Sequence, residues 1–222
     1  KIVLNKNNKN MGIGGHINII MKLAQGDLII AAAGDDISLP ERTEIICKKW
    51  ISAGKSARSL ISNYEKIDMD GLALGAVIDD NAILYNSIYY MASNLMHVPG
   101  FTHAWDKKVF DLFGPMGAGV VSEDVVIPFR SLLLGDILHI DKILVKFRYQ
   151  VGISNEIWSS NRSVQEKWAK ARLACAEQYL SDYKKSGKND KKLLNIILLQ
   201  INRRKLLVDL FERRMRVMLL LG

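Results

Sequence analysis

Apolar residues alternate with polar punctuation in a way that predicts strands and helices in turn. Residues 1–4 read as the end of a strand, followed by a polar Asn/Lys loop to Asn10. Met11-Gly12-Ile13-Gly14-Gly15 is a glycine-rich turn into a helix over 16–25, with apolar positions at 17, 19, 20, 23 and 24. The uninterrupted run Leu28–Ala33 predicts a strand covered on both faces in a parallel sheet, stopped by Gly34-Asp35-Asp36. Pro40 suits the first turn of a helix to about Ala53. A strand over 58–65, a turn at Asp68-Met69-Asp70-Gly71 and a helix over 79–97 follow. Trp105 falls in a short strand and 107–113 in a helix. Ser122-Glu123-Asp124 opens the apolar run 125–134, which Gly135 ends. Residues 137–149 read as two paired strands around Asp141. Beyond about Asn155 glycines nearly vanish, and 163–183 and 191–221 predict two long helices. Strands alternating with helices, then helices alone, define an α/β chain with a helical C-terminal extension.

Composition narrows the classes. The chain has 222 residues, 49% hydrophobic and 24% charged, enough for one domain with an appendage and a sizeable core. It is neither disordered nor fibrous, and no apolar run approaches the roughly 18 residues of a membrane span. Cys47 and Cys175 lie far apart with no metal-ligand spacing, which favours a reducing compartment over a disulfide framework. Of the net charge of +8, all resides in 184–222, where eleven Lys/Arg face three acids. The remaining body is neutral, so its main surface is not built to grip nucleic acid.

Two acidic clusters could carry chemistry. Asp35 and Asp36 fall at the carboxyl end of a predicted strand, where open α/β sheets bind ligands. Adjacent carboxylates are costly to crowd unless a cation shares their charge, and a hard divalent ion completed by phosphate oxygens meets that need. The alternative is a solvated turn with Asp36 capping the next helix. Glu123 and Asp124 pose the same choice: Ser122 as N-cap with two acids in the first helical turn is what a helix dipole favours. That position is expected to depress the pKa of Asp124. Trp105 could stack on a sugar or belong to the core beside Phe101 and Phe110. No dinucleotide fingerprint, phosphate-binding P-loop or nucleophilic triad is present.

In order along the chain, several short motifs resemble the inverting glycosyltransferases of family 2. They are Asn10-Met11-Gly12, Asn18, Ala24-Gln25-Gly26-Asp27-Leu28-Ile29, Gly34-Asp35-Asp36 and Leu39-Pro40-Glu41-Arg42, then Ser62-Asn63-Tyr64 with Ile67–Gly71. Pro99-Gly100-Phe101-Thr102, Val109–Pro115, Ser122-Glu123-Asp124, Pro128-Phe129-Arg130, Gly135 and Leu144–Arg148 continue the series, covering about residues 1–150. The resemblance implies a GT-A-like, Rossmann-related fold, with a mixed, mostly parallel sheet flanked by helices and an α-helical C-terminal extension. It places a catalytic domain at 1–155, preceded by a nucleotide-binding strand that would lie upstream of Lys1, and a basic helical extension at 156–222.

It further implies a metal-dependent inverting transfer from a nucleotide-diphosphate sugar to a hydroxyl of a glycan or glycolipid acceptor, in polysaccharide biosynthesis. Mg²⁺ or Mn²⁺ would sit on Asp35 and Asp36, Asp124 would be the catalytic base, and Gly12, Asn18 and Asp35 would face the donor. Glu123, Gly100, Thr102 and Trp105 would lie near the acceptor. Ala33 stands where the family usually has the first acid of its metal motif, Ile17 where many members carry Arg, and Tyr149-Gln150 where some carry His. Two rival readings are a sugar-phosphate nucleotidyltransferase and a degenerate scaffold of the same fold. Helix 191–221 is read as packed on the catalytic domain or on a sister subunit of a homo-oligomer. Its alternative is an amphipathic contact with an anionic membrane. The expected location is cytoplasmic, or peripheral on the inner face of the membrane.

Overall fold

The computed structural model describes residues 2–78, 82–149 and 161–221, with side chains described as far as Glu212 apart from Ala82. Helix α1 (Gly12–Leu23) leads into β1 (Leu28–Ile30), β2 (Ile37–Ser38) and α2 (Arg42–Ser52). Strand β3 (Ala57–Ile67), β4 (Ala73–Val77), the short helices α3 (Ala82–Tyr85) and α4 (Ile88–Asn94), and a 3-10 turn (Gly100–Thr102) follow. Then come β5 (Ala104–Asp106), α5 (Lys108–Phe113), α6 (Glu123–Leu134), β6 (Asp136–Arg148), α7 (Arg162–Lys185) and α8 (Lys191–Leu221). The predicted domain boundary at 155, and the start of the helix expected from 79, lie outside the described residues.

The strands form one sheet in the order β1-β5-β3-β6-β2, with β4 hairpinned onto β3. The mixed sheet flanked by helices is as expected, but its pairing is not mostly parallel. Strands β3 and β6 pair parallel, whereas β1–β5, β3–β5, β3–β4 and β2–β6 are antiparallel. Strands β1, β3 and β6 therefore run the same way, with β5 reversed between the first two. Residues 28–33 accordingly form a three-residue, half-buried strand rather than a long one covered on both faces. Ile2–Leu4 do not form the expected strand; they are exposed and pair with no strand among the described residues.

Alternation along β3 explains how the sheet is covered. Leu60 points to one face, where Ile46 and Trp50 of α2 pack with Ile140 and Leu144 of β6. Ile61 points to the other, against Leu132 of α6 and Met91 of α4. The larger core lies on that α6 side, where Phe129, Tyr179, Phe113, Leu193 and Ile197 join α5, α6, α7 and α8. Phe129 and Tyr179 stack at 3.7 Å between centroids, and the Tyr179 hydroxyl donates to the Val125 carbonyl at 2.9 Å.

Helix α8 buries Leu193, Ile197, Ile201 and Val208 and packs along α7 and α4. Gln200 donates to the Ser93 carbonyl of α4 at 2.5 Å. This is the packed arrangement expected of it. No described helix is long and apolar enough to cross a membrane.

Three elements differ from the periodicity, each through a tertiary contact. The helix expected over 79–97 is broken at Asn86-Ser87, where the Asn86 side chain accepts the backbone N–H of Ile137 at 3.0 Å. Residues 137–149 form one strand instead of two. The register against β3 jumps from Ser62↔Ile140 to Asn63↔Ile143, and Asn63 fills the bulge by donating to Asp141 at 2.8 Å and meeting His139 at 2.9 Å. Helix α1 starts inside the glycine-rich turn because α1 lies hard against the loop before α6. A Cβ on Gly14 would sit 2.1 Å from the Val120 carbonyl oxygen, so only glycine fits. Gly14→Ala is expected to cost roughly 1–3 kcal/mol by overpacking and to lower Tm by several degrees in calorimetry; an unchanged Tm would place that loop elsewhere.

Candidate active site

Glu123 and Asp124 open α6, and Pro128 explains what lies against them. A helical carbonyl at position 124 would accept from residue 128, but proline has no N–H to give. The Asp124 carbonyl instead accepts the N–H of Val98 at 3.1 Å. That bond lays the Pro99–Thr102 segment over the two acids. A Cβ on Gly100 would meet Glu123 Oε1 at 3.3 Å and the Asp124 Cβ at 3.4 Å, so Gly100 lies against the Glu123 carboxylate and the Asp124 side chain. Ser122 occupies the N-cap position, but its hydroxyl does not cap the helix.

The electrostatics reverse the sequence expectation for Asp124. Its own N–H and that of Val125 lower its pKa, as does the charge of Arg172, yet burial is the largest influence and raises it to about 6. Burial, followed by the charge of Asp124, raises Glu123 to about 7. A carboxyl raised on folding contributes stability that is complete below its unfolded value and is lost as pH rises through the folded one. Glu123→Gln is therefore expected to leave Tm unchanged at pH 4 and to raise stability at pH 8 by roughly 2 kcal/mol, measured by thermal melts across pH. Equal effects at both pH values would contradict the burial of that carboxyl.

Arg42 links this corner to the other acidic cluster. It is 2% exposed; its guanidinium donates to the Ala31 carbonyl at 2.7 Å, the Phe101 carbonyl at 2.9 Å and Ser38 Oγ at 2.8 Å. It thereby fastens the segment leading into Asp35-Asp36 to the turn resting on Glu123 and Asp124. Arg148, ending β6, holds the acidic loop from the other side. Its N–H donates to Asp36 Oδ1 at 2.9 Å and its Nε to the Asp35 carbonyl at 3.1 Å. Burial raises the Asp36 pKa, Arg148 opposes that rise, and Asp35 adds to it. Asp36 does not cap a helix; α2 begins six residues later with Glu41 at its N-cap.

Two adjacent carboxylates, one exposed and holding no hydrogen bond among the described residues, the other with one oxygen uncommitted, are a donor set that fits a hard divalent ion. Water and ligand oxygens would supply the remaining positions. No cluster of three or more His, Cys, Asp or Glu side chains converges among the described residues.

The other predicted residues divide. Gly12, with φ of 67°, has open space around it and lines a cavity beside α1. The Asn18 amide is engaged at both ends by the main chain of Met116, at 2.8 Å each. Thr102 is fully buried and its hydroxyl donates to the Pro99 carbonyl at 2.9 Å. Trp105 is 2% exposed, in a strand flanked on both sides by β1 and β3, and tilts against His103 at 5.2 Å. Neither Thr102 nor Trp105 offers a face to an acceptor here; the core alternative for Trp105 is the one realised. His103 itself is held neutral by burial, its pKa lowered to about 3, and bonds Ser59 at 2.7 Å.

Arg172 was not legible as a neighbour of Asp124, because α7 lies beyond the family-like motifs and only the tertiary fold brings it there. The buried role of Arg42 had a partial signal in the Leu39-Pro40-Glu41-Arg42 pattern.

These elements, a mixed sheet with helices on both faces, make a GT-A-like fold. Two solved structures of TarS from S. aureus share it. The structure of TarS 1–349 superposes with a TM-score of 0.52 at 13% identity, covering 87% of this chain and 51% of that one. A longer TarS structure gives 0.55 at 14% identity, covering 88% of this chain and 31% of that one. The chain thus spans about half of the first and about a third of the second. No family model and no curated protein matches the sequence.

Proposed function

We propose that this protein is a metal-dependent inverting glycosyltransferase that moves a sugar from a nucleotide-diphosphate sugar to a hydroxyl of a glycan or glycolipid acceptor, in polysaccharide synthesis. The observation that carries the reading is the pair of contacts binding the two acidic clusters together: Gly100 on Glu123 and Asp124, and Arg42 across Phe101 and Ala31. The likeness in fold to TarS, a family 2 glycosyltransferase, supports it.

Asp35 and Asp36 would hold Mg²⁺ or Mn²⁺, which when bound supplies charge neutralisation to a departing diphosphate. Asp124 accepts the proton of the attacking hydroxyl, and attack from the face opposite the leaving group gives inversion. A pKa raised to about 6 keeps Asp124 ionised at neutral pH yet more basic than an ordinary carboxylate, which suits a general base. Glu123, the higher of the two, holds a proton longer and orients the acceptor. The outer face of α8, with exposed Leu199, Leu206 and Leu210 beside Arg203 and Lys205, supports a peripheral contact with an anionic membrane surface.

Incubating the protein with common nucleotide sugars, Mn²⁺ and candidate acceptors tests the reading. Release of nucleoside diphosphate with transfer of the sugar is expected, and chelation should stop it. Diphosphate release from a nucleoside triphosphate plus a sugar phosphate, with no transfer, would instead establish a nucleotidyltransferase.

A further inference from the structure

A cavity of about 700 Å³ lies between the start of α1 and α7, within the range that small-molecule sites occupy. None of Asp35, Asp36, Glu123 and Asp124 lines it, and three of its lining residues, Lys167, Trp168 and Ala171, come from α7, which no family-like motif covers. Met11, Ile13, Ile17, Val121 and Trp168 make the walls apolar. Met11 and Ile13 are 42% and 38% exposed at its mouth, apolar surface at the rim of a concavity that an apolar ligand would cover. Its polar lining is of one kind. Lys9, Lys167, His16 and the Asn side chains contribute, and no carboxylate does. Lys9 has no acidic partner among the described residues, while the first N–H of α1, that of Gly12, donates to Asn10 Oδ1 at 2.8 Å. A second hollow of about 510 Å³ shares Val121, Lys167 and Ala171 and prolongs the groove along α7, where Glu166 and Lys170 line it.

Apolar walls with a basic and amide lining in the main cavity match one ligand chemistry. We propose that this cavity binds a single-chain amphiphile carrying a phosphate head, with the chain along Ile17, Val121 and Trp168 and the phosphate at Lys9. Val121 lies three residues before Asp124, in the loop that leads into α6. That it is the acceptor or product rests on the proposed transfer; that it binds does not.

Decyl phosphate is the probe, titrated by calorimetry and by Trp emission. The expected result is saturable binding with a change in emission that Trp168→Phe removes while the heat persists. Decanol should bind at least about tenfold more weakly, as should decyl phosphate to Lys9→Glu, and inorganic phosphate should give no heat. Circular dichroism of both variants confirms their fold. No saturable binding, or equal binding of decyl phosphate and decanol, overturns the proposal. So does undiminished binding by Lys9→Glu. Binding without any sugar transfer would leave this site standing and remove the proposed reaction; transfer to soluble sugars without binding would do the reverse.

Discussion

Asp124→Asn is expected to lower sugar transfer by about 10²–10⁴ while leaving the fold and donor binding intact. Asparagine keeps the shape and can occupy the same place under Gly100, but it cannot accept the acceptor's proton. Because burial raises this carboxyl, losing its charge also relieves a folded-state cost, so Tm at neutral pH should hold or rise. A wild-type rate that climbs with pH through roughly 6–7 belongs to the Glu123–Asp124 pair rather than to either residue. The variant should lose that limb. If turnover survives and the pH profile is unchanged, Asp124 is not the base.

The second large effect concerns the joint between α7 and the sheet. Arg130 of α6 and Asp182 of α7 are both fully buried and form a bidentate pair, Nε to Oδ2 at 2.7 Å and a terminal nitrogen to Oδ1 at 3.1 Å. Arg130 also donates to the Gly114 carbonyl at 2.9 Å, and Gln178 to Asp182 at 2.8 Å. Burial raises the Asp182 pKa in spite of the guanidinium. Removing one partner strands a buried charge, so Arg130→Met is expected to cost about 3–5 kcal/mol and to lower Tm by about 10 °C. Lower pH should shrink the deficit, since Asp182 can then be protonated. Arg130→Met with Asp182→Leu should recover most of the loss, because an apolar pair needs no charge compensation. A double variant as unstable as the single one would show that packing, not charge, sets the cost.

The long periodic elements were legible in the sequence: α2, α6, α7, α8 and β3 lie close to where alternation and helical spacing put them. The shorter ones were not. Residues 73–77 form β4 despite a glycine in the middle and an exposed face, because pairing with β3, not burial, holds them. Strand β2 is two residues long and exists only through β6. In the site, Gly100, Glu123 and Asp124 were named from motif order and do touch. Trp105 is buried because β5 lies inside the sheet between β1 and β3, and Thr102 because it closes the 3-10 turn before it, its hydroxyl on the Pro99 carbonyl; sequence showed neither. The sign of the Asp124 shift was missed for the same kind of reason. Local sequence displays the helix start that would lower it, while the burial that outweighs it comes from the tertiary fold, with Cys175 and Tyr179 of α7 packed nearby.

The most direct measurement of whether the two acidic clusters serve one reaction is calorimetric titration of a nucleotide sugar with Mn²⁺ into three proteins. Wild type and Asp124→Asn should bind alike, and Asp36→Asn should lose the Mn²⁺-dependent part of the binding. Mn²⁺-independent binding that Asp36→Asn leaves untouched would contradict the assignment of the Asp35–Asp36 loop to the donor.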